Sequence, residues 1–586
     1  MATHYSAEQN VLILIALMKA HSVKKVVVSP GTTNVCFVAS LRYDPFFEMY
    51  SAADERSAAY IACGLAAESG EPVVLTCTQA TASRNYLPAL TEAYYRKLPI
   101  LAVTATRHES EVGHALQQVI DRSVLPNDVA KLSVSLPSIH TAKDRWACEV
   151  NANRALLELR RHGGGPVHIN LATEYTPDFS VQKLPDVRVI QRYFPCDDLP
   201  DLQPGRVGIF VASHLAWSEE LTKCVDSFCE KYNAVVLCDQ TSNYRGQYGV
   251  MEKLVANQKL YHAMCNNFQV LIHIGNMSGS YLMFKAEEVW RVSPDGEVVD
   301  PFEKMKNVFE MEELTFFERY LAKETAEGPA TSLYSQWRYE YDNLAEIARE
   351  KSNELPFSNI WVAQQTLPLI PEHSVMHFAI YNSLRSWSFF EGPRSVLGYA
   401  NVGGFGIDGN VSSLLGASLA NPNQLYFGVV GDLAFFYDMN ALGNRHVGNN
   451  LRILLINNGH GTEFTNKDNF TYQAGIDSEA VSFIAAEDHY GRQSRALVRH
   501  YAEDLGFTYL VAENKKEFMD QVSRFVSPEI GSAPILFEVF TDSVDERNAL
   551  EMMYALNVTT QGKAKQVAKE ILGEKSVQTI KKLIGR

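Results

Sequence analysis

Short apolar runs alternate with longer stretches of helical period along most of this chain. Residues 25–28, 47–51, 73–78, 100–104 and 167–171 read as buried strands separated by patterned helices. Such alternation predicts a parallel sheet covered on both faces. A second set of short apolar strands is read at 207–212, 234–238 and 270–274, and the stretch 289–317 is acidic and reads as poor in strands. A charged helical stretch over 335–351 closes this part, and from about Leu355 a third α/β unit runs to the apolar strand 537–540. The predicted class is α/β, with doubly wound parallel-sheet domains. Boundaries are set at 1–183, a linker over 184–204 that holds four prolines, 205–350, 351–550 and a tail over 551–586. In that tail Val567, Ile571, Val577, Ile580 and Ile584 recur at helical spacing among seven Lys/Arg residues, broken near Gly573. A basic amphipathic helix pair docked on the protein body is preferred there over a membrane-surface or partner-binding role.

One motif carries chemistry. A strand over 425–430 runs into Gly431-Asp432-Leu433, and a helix over 434–443 follows. The apolar run 453–456 then delivers Asn457-Asn458, with 23 residues between Leu433 and Asn457. An acid and a carboxamide thus meet at the carboxyl ends of adjacent parallel strands. A carboxylate, a side-chain carbonyl and a main-chain carbonyl suit Mg²⁺, which completes its octahedron with water and substrate phosphates. The implied ligand is a diphosphate.

Composition narrows the class. A length of 586 residues suggests three or four domains, and 46% hydrophobic residues supply sizeable cores. The net charge of −15 argues against nucleic acid as a partner, though a pocket can still be locally basic for a small anion. No apolar run is long enough to span a bilayer, and residues 1–10 carry no leader pattern, so a cytoplasmic location is expected. The nine cysteines are dispersed and odd in number. They read as buried free thiols in a reducing compartment, and Cys224 and Cys229 lack the second pair a zinc site needs.

The motif resembles the signature of thiamine-diphosphate (ThDP) enzymes. The surrounding phrases resemble one branch, the 2-succinyl-5-enolpyruvyl-6-hydroxy-3-cyclohexene-1-carboxylate (SEPHCHC) synthases of menaquinone biosynthesis. The matching phrases are Ser29-Pro30-Gly31, Asp54-Glu55-Arg56-Ser57-Ala58-Ala59, Pro88-Ala89-Leu90, Gly165-Pro166-Val167-His168-Ile169-Asn170, Gly406-Ile407-Asp408-Gly409, Gly431-Asp432-Leu433 and Asn457-Asn458-Gly459, in order across nearly the whole chain. Leu433 stands where most ThDP enzymes have glycine, and the related synthases share it. The resemblance implies three domains: an N-terminal pyrimidine-binding one, a central one, and a C-terminal one for the diphosphate and Mg²⁺. It implies Glu55 at N1′ of the aminopyrimidine, Ile407 as the prop that bends the cofactor, and Gly431, Leu433 and Phe464 as further cofactor contacts. Asp432 and Asn458 would be side-chain metal ligands and His460 a main-chain one. Gln118 would lie near the reaction centre. The glutamate and the metal site would come from different subunits, giving a homodimer or homotetramer.

Departures fall on the substrate side. Two anionic substrates, 2-oxoglutarate and isochorismate, are held in those synthases by arginines, whose forked guanidinium orients carboxylates. Here Thr32-Thr33 replace Ser-Arg, Trp387 aligns with an arginine although Arg385 lies two residues away, and Val402 replaces another arginine. Each lost charged contact is worth roughly 1.5–3 kcal/mol, so an acceptor other than isochorismate is expected. Thr32, Thr33, Arg107, Arg385 and Glu463 are the candidate substrate residues. The implied activity is decarboxylation of a 2-oxoacid with transfer of the acyl-anion equivalent to an acceptor. Its rival is a simple decarboxylase releasing an aldehyde. A non-catalytic scaffold would have lost Glu55 or the metal pair, and a flavoprotein would carry a Gly-rich turn after a central strand. Neither feature is found.

Overall fold

Strands pair in parallel in the three sheets of the computed structural model, and the central ones are apolar and buried on both faces. Residues 4–215, 217–279, 283–476, 478–487 and 494–558 are described, so the basic helix pair expected over 561–586 lies outside them. Two units are distinguished, one built from residues 1–194 and 296–310, the other from the rest.

The first unit holds β1 (Lys25–Val28), β2 (Glu48–Ser51), β3 (Val73–Cys77), β4 (Ile100–Thr106), β5 (Leu132–Leu136) and β6 (Val167–Ala172). Their order is β2-β1-β3-β4-β6-β5. β3 and β6 are buried along their whole length because helices cover both faces. The edge strand β5, Leu-Ser-Val-Ser-Leu, alternates apolar and polar residues, as a half-covered strand does. A further strand of this unit, β7 (Gln191–Tyr193), lies in the Pro-rich stretch read as a linker.

The second unit starts with β8 (Val207–Val211), β9 (Ala234–Cys238), β10 (Gly249–Met251), β11 (Asn267–Ile274) and β12 (Lys285–Ser293), in the order β10-β9-β8-β11-β12. This is the three-two-one-four-five order of mononucleotide-binding halves. Next in sequence, β13 (Met305–Glu310) pairs with β7 in the first unit. The reading of 289–317 as strand-poor is therefore corrected: β12, β13 and the helix Glu313–Leu321 fill it. The acids misled because Asp295, Glu297, Asp300 and Glu303 all fall in the connection between β12 and β13, whereas the end of β12, Val289 to Ser293, is fully buried. Glu310, at the end of β13, is buried against Arg161 at 3.0 Å.

The last sheet is made of β14 (Val375–Phe378), β15 (Leu397–Ala400), β16 (Tyr426–Gly431), β17 (Leu451–Asn457), β18 (Thr508–Ala512) and β19 (Ile535–Phe540), ordered β15-β14-β16-β17-β19-β18. Counted within each sheet, this order is identical to that of the first unit. The chain thus repeats one topology, a relation its residues do not display.

Candidate active site

The end of β16 passes straight into the helix Asp432–Asp438, which sets Asp432 at a helix N-terminus where a negative charge is favoured. Its carboxylate accepts hydrogen bonds from two main-chain N–H groups, Leu433 at 2.8 Å and Gly459 at 2.6 Å. Gly459 turns through the left-handed region, at φ 67°, to make that contact. Asp432 is 7% exposed, and among the described residues no lysine or arginine pairs with it. Burial pushes its carboxyl up to about 6, against the pull of the main-chain donors.

The two asparagines at the end of β17 divide. Asn457 donates to Glu538 Oε1 on the neighbouring β19 at 2.7 Å. Asn458 faces the crevice instead: its Oδ1 accepts from His460 N at 3.1 Å and its Nδ2 donates to Thr462 Oγ1 at 3.2 Å. A crevice lined by Asp432, Leu433, Phe436, Gly459, His460 and Gly461 opens there. A buried carboxylate without a cation, an amide oxygen and a glycine-rich turn form an oxygen-only donor set, which fits a small hard cation carrying a diphosphate. The His460 ring is buried, its Nδ1 lies 3.7 Å from Glu487 Oε1, neither nitrogen makes a hydrogen bond among the described residues, and burial lowers its pKa.

Around this crevice, Ile407 is half-buried against the core of the last sheet, and Asn410 Nδ2 donates to its carbonyl at 2.9 Å. Phe464 is half-buried in the turn Thr462–Thr465. Glu463 of the same turn forms an ion pair with Arg385 Nη1 at 2.6 Å, so two candidate substrate residues meet. Trp387 is wholly buried, with its ring on Phe378 and its Nε1 donating to Asn359 Oδ1 at 3.0 Å. It is a piece of the core. Trp387→Arg is accordingly expected to destabilise the protein by about 3–5 kcal/mol or more, as loss of a large buried aromatic does. A lowered denaturant midpoint checks this, and an unchanged midpoint would show that the position tolerates an arginine.

In the first unit Glu55 opens the helix Glu55–Ser69. Asp54 caps that helix by accepting from the N–H of Arg56 and of Ser57. Glu55 is half-buried, and its Oε2 accepts from Asn85 Nδ2 at 3.3 Å. Tyr175 gathers a second group. Its hydroxyl lies 3.1 Å from Thr33 Oγ1, 3.3 Å from Arg107 Nε and 3.4 Å from Gln79 Nε2. Thr33 and Arg107 are thereby brought together, while Thr32 is exposed and Gln118 is exposed with φ 64°. Sequence reasoning missed Tyr175 and Gln79. Their one signal is that each closely follows a strand of the first sheet.

Residues 11–125 match the family described as thiamine pyrophosphate enzyme, N-terminal TPP binding domain. A 2-succinyl-5-enolpyruvyl-6-hydroxy-3-cyclohexene-1-carboxylate synthase of Bacteroides fragilis is 33% identical over 574 residues, covering 94% of this chain and 99% of the relative. The chain belongs to the SEPHCHC-synthase-like ThDP enzymes. A synthase of the same name from Bacteroides thetaiotaomicron is 31% identical over 583 residues, with 94% and 99% covered. One from Flavobacterium psychrophilum is 25% identical over 564 residues, with 90% and 95% covered. This ThDP-dependent enzyme therefore carries the family's three parallel sheets. Among its described residues no helix is long and apolar enough to cross a membrane.

Proposed function

We propose that this enzyme decarboxylates a 2-oxoacid and transfers the acyl-anion equivalent to an acceptor other than isochorismate. The observation that carries the reading is the placement of Asp432 and Asn458 together at the ends of β16 and β17, in a chain that matches a SEPHCHC synthase over 99% of that relative's length. When bound, ThDP supplies the carbon nucleophile and the electron sink that the reaction needs. Asp432 and Asn458, with the main chain of His460, would hold Mg²⁺ and through it the diphosphate. Gly431, Leu433 and Phe464 would line the cofactor and Ile407 would support its rings. Glu55 would hold a proton at the aminopyrimidine, and Gln118 would lie near the reacting atoms. Exposed Tyr60 and Ile61 on the helix that Glu55 opens support a second copy of the chain covering this face, in a homodimer or tetramer.

The acceptor side argues for a changed substrate. Thr33 is held by Tyr175, Trp387 is core, and Val402 is buried, so none of the three supplies a cation. A second reading, SEPHCHC synthesis itself, is favoured by the names of the relatives. A panel of 2-oxoacids assayed for CO₂ release, with and without isochorismate, separates the two. The expected result is ThDP-dependent CO₂ release from some 2-oxoacid and no SEPHCHC from 2-oxoglutarate with isochorismate. Turnover of that pair at about 10⁴ M⁻¹s⁻¹ or above would establish the second reading instead.

A further inference from the structure

A cavity of about 140 Å³ lies in the second unit, between β9, β10 and the loop that joins them on one side and β14 and β15, the edge of the last sheet, on the other. None of the residues around the Asp432 crevice lines it. Its walls are tied together: Asn243 Oδ1 accepts from Gly398 N at 2.8 Å and its Nδ2 donates to Gly398 O at 2.9 Å. The cavity is thus formed in advance of any ligand. Its acids are already held, Asp239 by Thr241 N and Oγ1, both at 2.7 Å, and Glu391 by Arg338 Nη1 at 2.6 Å. Two lining arginines are not. Among the described residues Arg394 is exposed and makes no ion pair, and the one hydrogen-bonding contact of Arg245 is long, Nη2 to Asn243 Oδ1 at 3.5 Å. Arg245 Nε is buried without a partner. Burial lowers the pKa of that side chain, and the other groups acting on it, Cys238 and Tyr399, are neutral near pH 7. A half-buried guanidinium without a counter-charge is costly. Met251, Leu367, Met376 and Phe378 add buried apolar side chains to the same lining.

We infer that this cavity is a binding site separate from the active site, taking a small organic monoanion whose acid group meets Arg245 and Arg394 and whose apolar body packs on Met251, Leu367 and Met376. It goes beyond the proposed function, because none of Thr32, Thr33, Arg107, Arg385 and Glu463 lines the cavity. The volume sets the size of the ligand: a dry cavity of about 150 Å³ takes one benzene ring, so the apolar body has about six carbons. The acid group supplies the counter-charge that the two arginines lack, through the paired N–H donors a guanidinium offers a carboxylate. A second negative charge would face Asp239 and Glu391, which favours a monoanion. A neutral compound of the same shape brings the body without the charge. Inorganic phosphate brings the charge without the body. Both should bind more weakly than the acid.

The test uses the full-length protein loaded with ThDP and Mg²⁺, with Arg245→Met and Arg394→Gln beside the parent. Calorimetric titration with benzoate, hexanoate, benzamide and inorganic phosphate measures binding, and separate measurements give ThDP affinity and thermal midpoint. Benzoate or hexanoate is expected to bind saturably and to raise the midpoint, as a ligand of the folded form does, with benzamide and phosphate weaker by about 10-fold or more. Arg245→Met should weaken the acid by about 10- to 100-fold, the range of a lost charged hydrogen bond, and Arg394→Gln, at an exposed position, by about 2- to 5-fold. ThDP affinity should stay as in the parent. Neither variant should lower the midpoint without ligand, because neither arginine has an acid partner to lose. If Arg245→Met does not fold, Arg394→Gln decides, since its side chain is exposed. No saturable binding of either acid to the parent overturns the proposal, as does equal binding of benzamide or of phosphate. Parental affinity for the acid in the folded variants overturns it too, and so does a loss shared with ThDP. Turnover is not measured, so the carboligase reading stands or falls separately on the CO₂ assay.

Discussion

Asp432→Ala and Asn458→Ala are each expected to remove the Mg²⁺-dependent part of ThDP binding from a protein that stays folded. Among the described residues the Asp432 carboxylate is held by main-chain N–H groups, those of Leu433 and Gly459 foremost, so its loss leaves main-chain donors beside a crevice that water can enter. Truncating one partner of a close, desolvated charge pair costs about 2–5 kcal/mol, or roughly 30- to 5,000-fold in affinity. Asn458 contributes a neutral oxygen, so its loss belongs at the lower end of that range. Asn457→Ala is the contrast. Asn457 holds Glu538, whose carboxyl is buried and pushed upward, so its removal should lower stability and leave the Mg²⁺ dependence intact. Titration of ThDP with Mg²⁺ and with a chelator measures the difference. Equal ThDP affinity in the parent and in both crevice variants would remove Asp432 and Asn458 from the metal site.

The contrast between two adjacent asparagines marks what could be read from residues alone. Runs such as β3, β9 and β17 are apolar at nearly every position, which only a strand buried on both faces tolerates, and their class was legible at once. The Gly-Asp and Asn-Asn pair was legible because each follows such a run directly. Sheet order was not, since a strand's partners depend on crossovers that leave no local mark; the shared order of the first and last sheets emerges only from the registers. The strand β12 was hidden because its first half is charged and its buried second half includes Arg291 and leads into an acidic connection. Tyr175 was hidden for a related reason. A tyrosine past a strand is ordinary until the fold brings Thr33 and Arg107 to it.

Glu55→Gln is expected to bind ThDP about as well as the parent and to lose CO₂ release by about 10²- to 10⁴-fold, the range of a positioned proton-transfer group. The substitution keeps the side chain's length and one acceptor oxygen, so Asn85 Nδ2, now 3.3 Å from Glu55 Oε2, can still be satisfied. Asp54, and not Glu55, caps the helix, so the backbone at the helix start has no reason to move. What the amide cannot do is share a proton with a basic ring nitrogen through a charge-assisted hydrogen bond. Fold and binding should therefore persist while turnover falls. Calorimetry for ThDP, a thermal melt and a CO₂ assay on the same preparation distinguish the possibilities. Parental turnover would exclude Glu55 from proton transfer. A joint loss of ThDP affinity and turnover would make it a binding residue and leave the proton to another group.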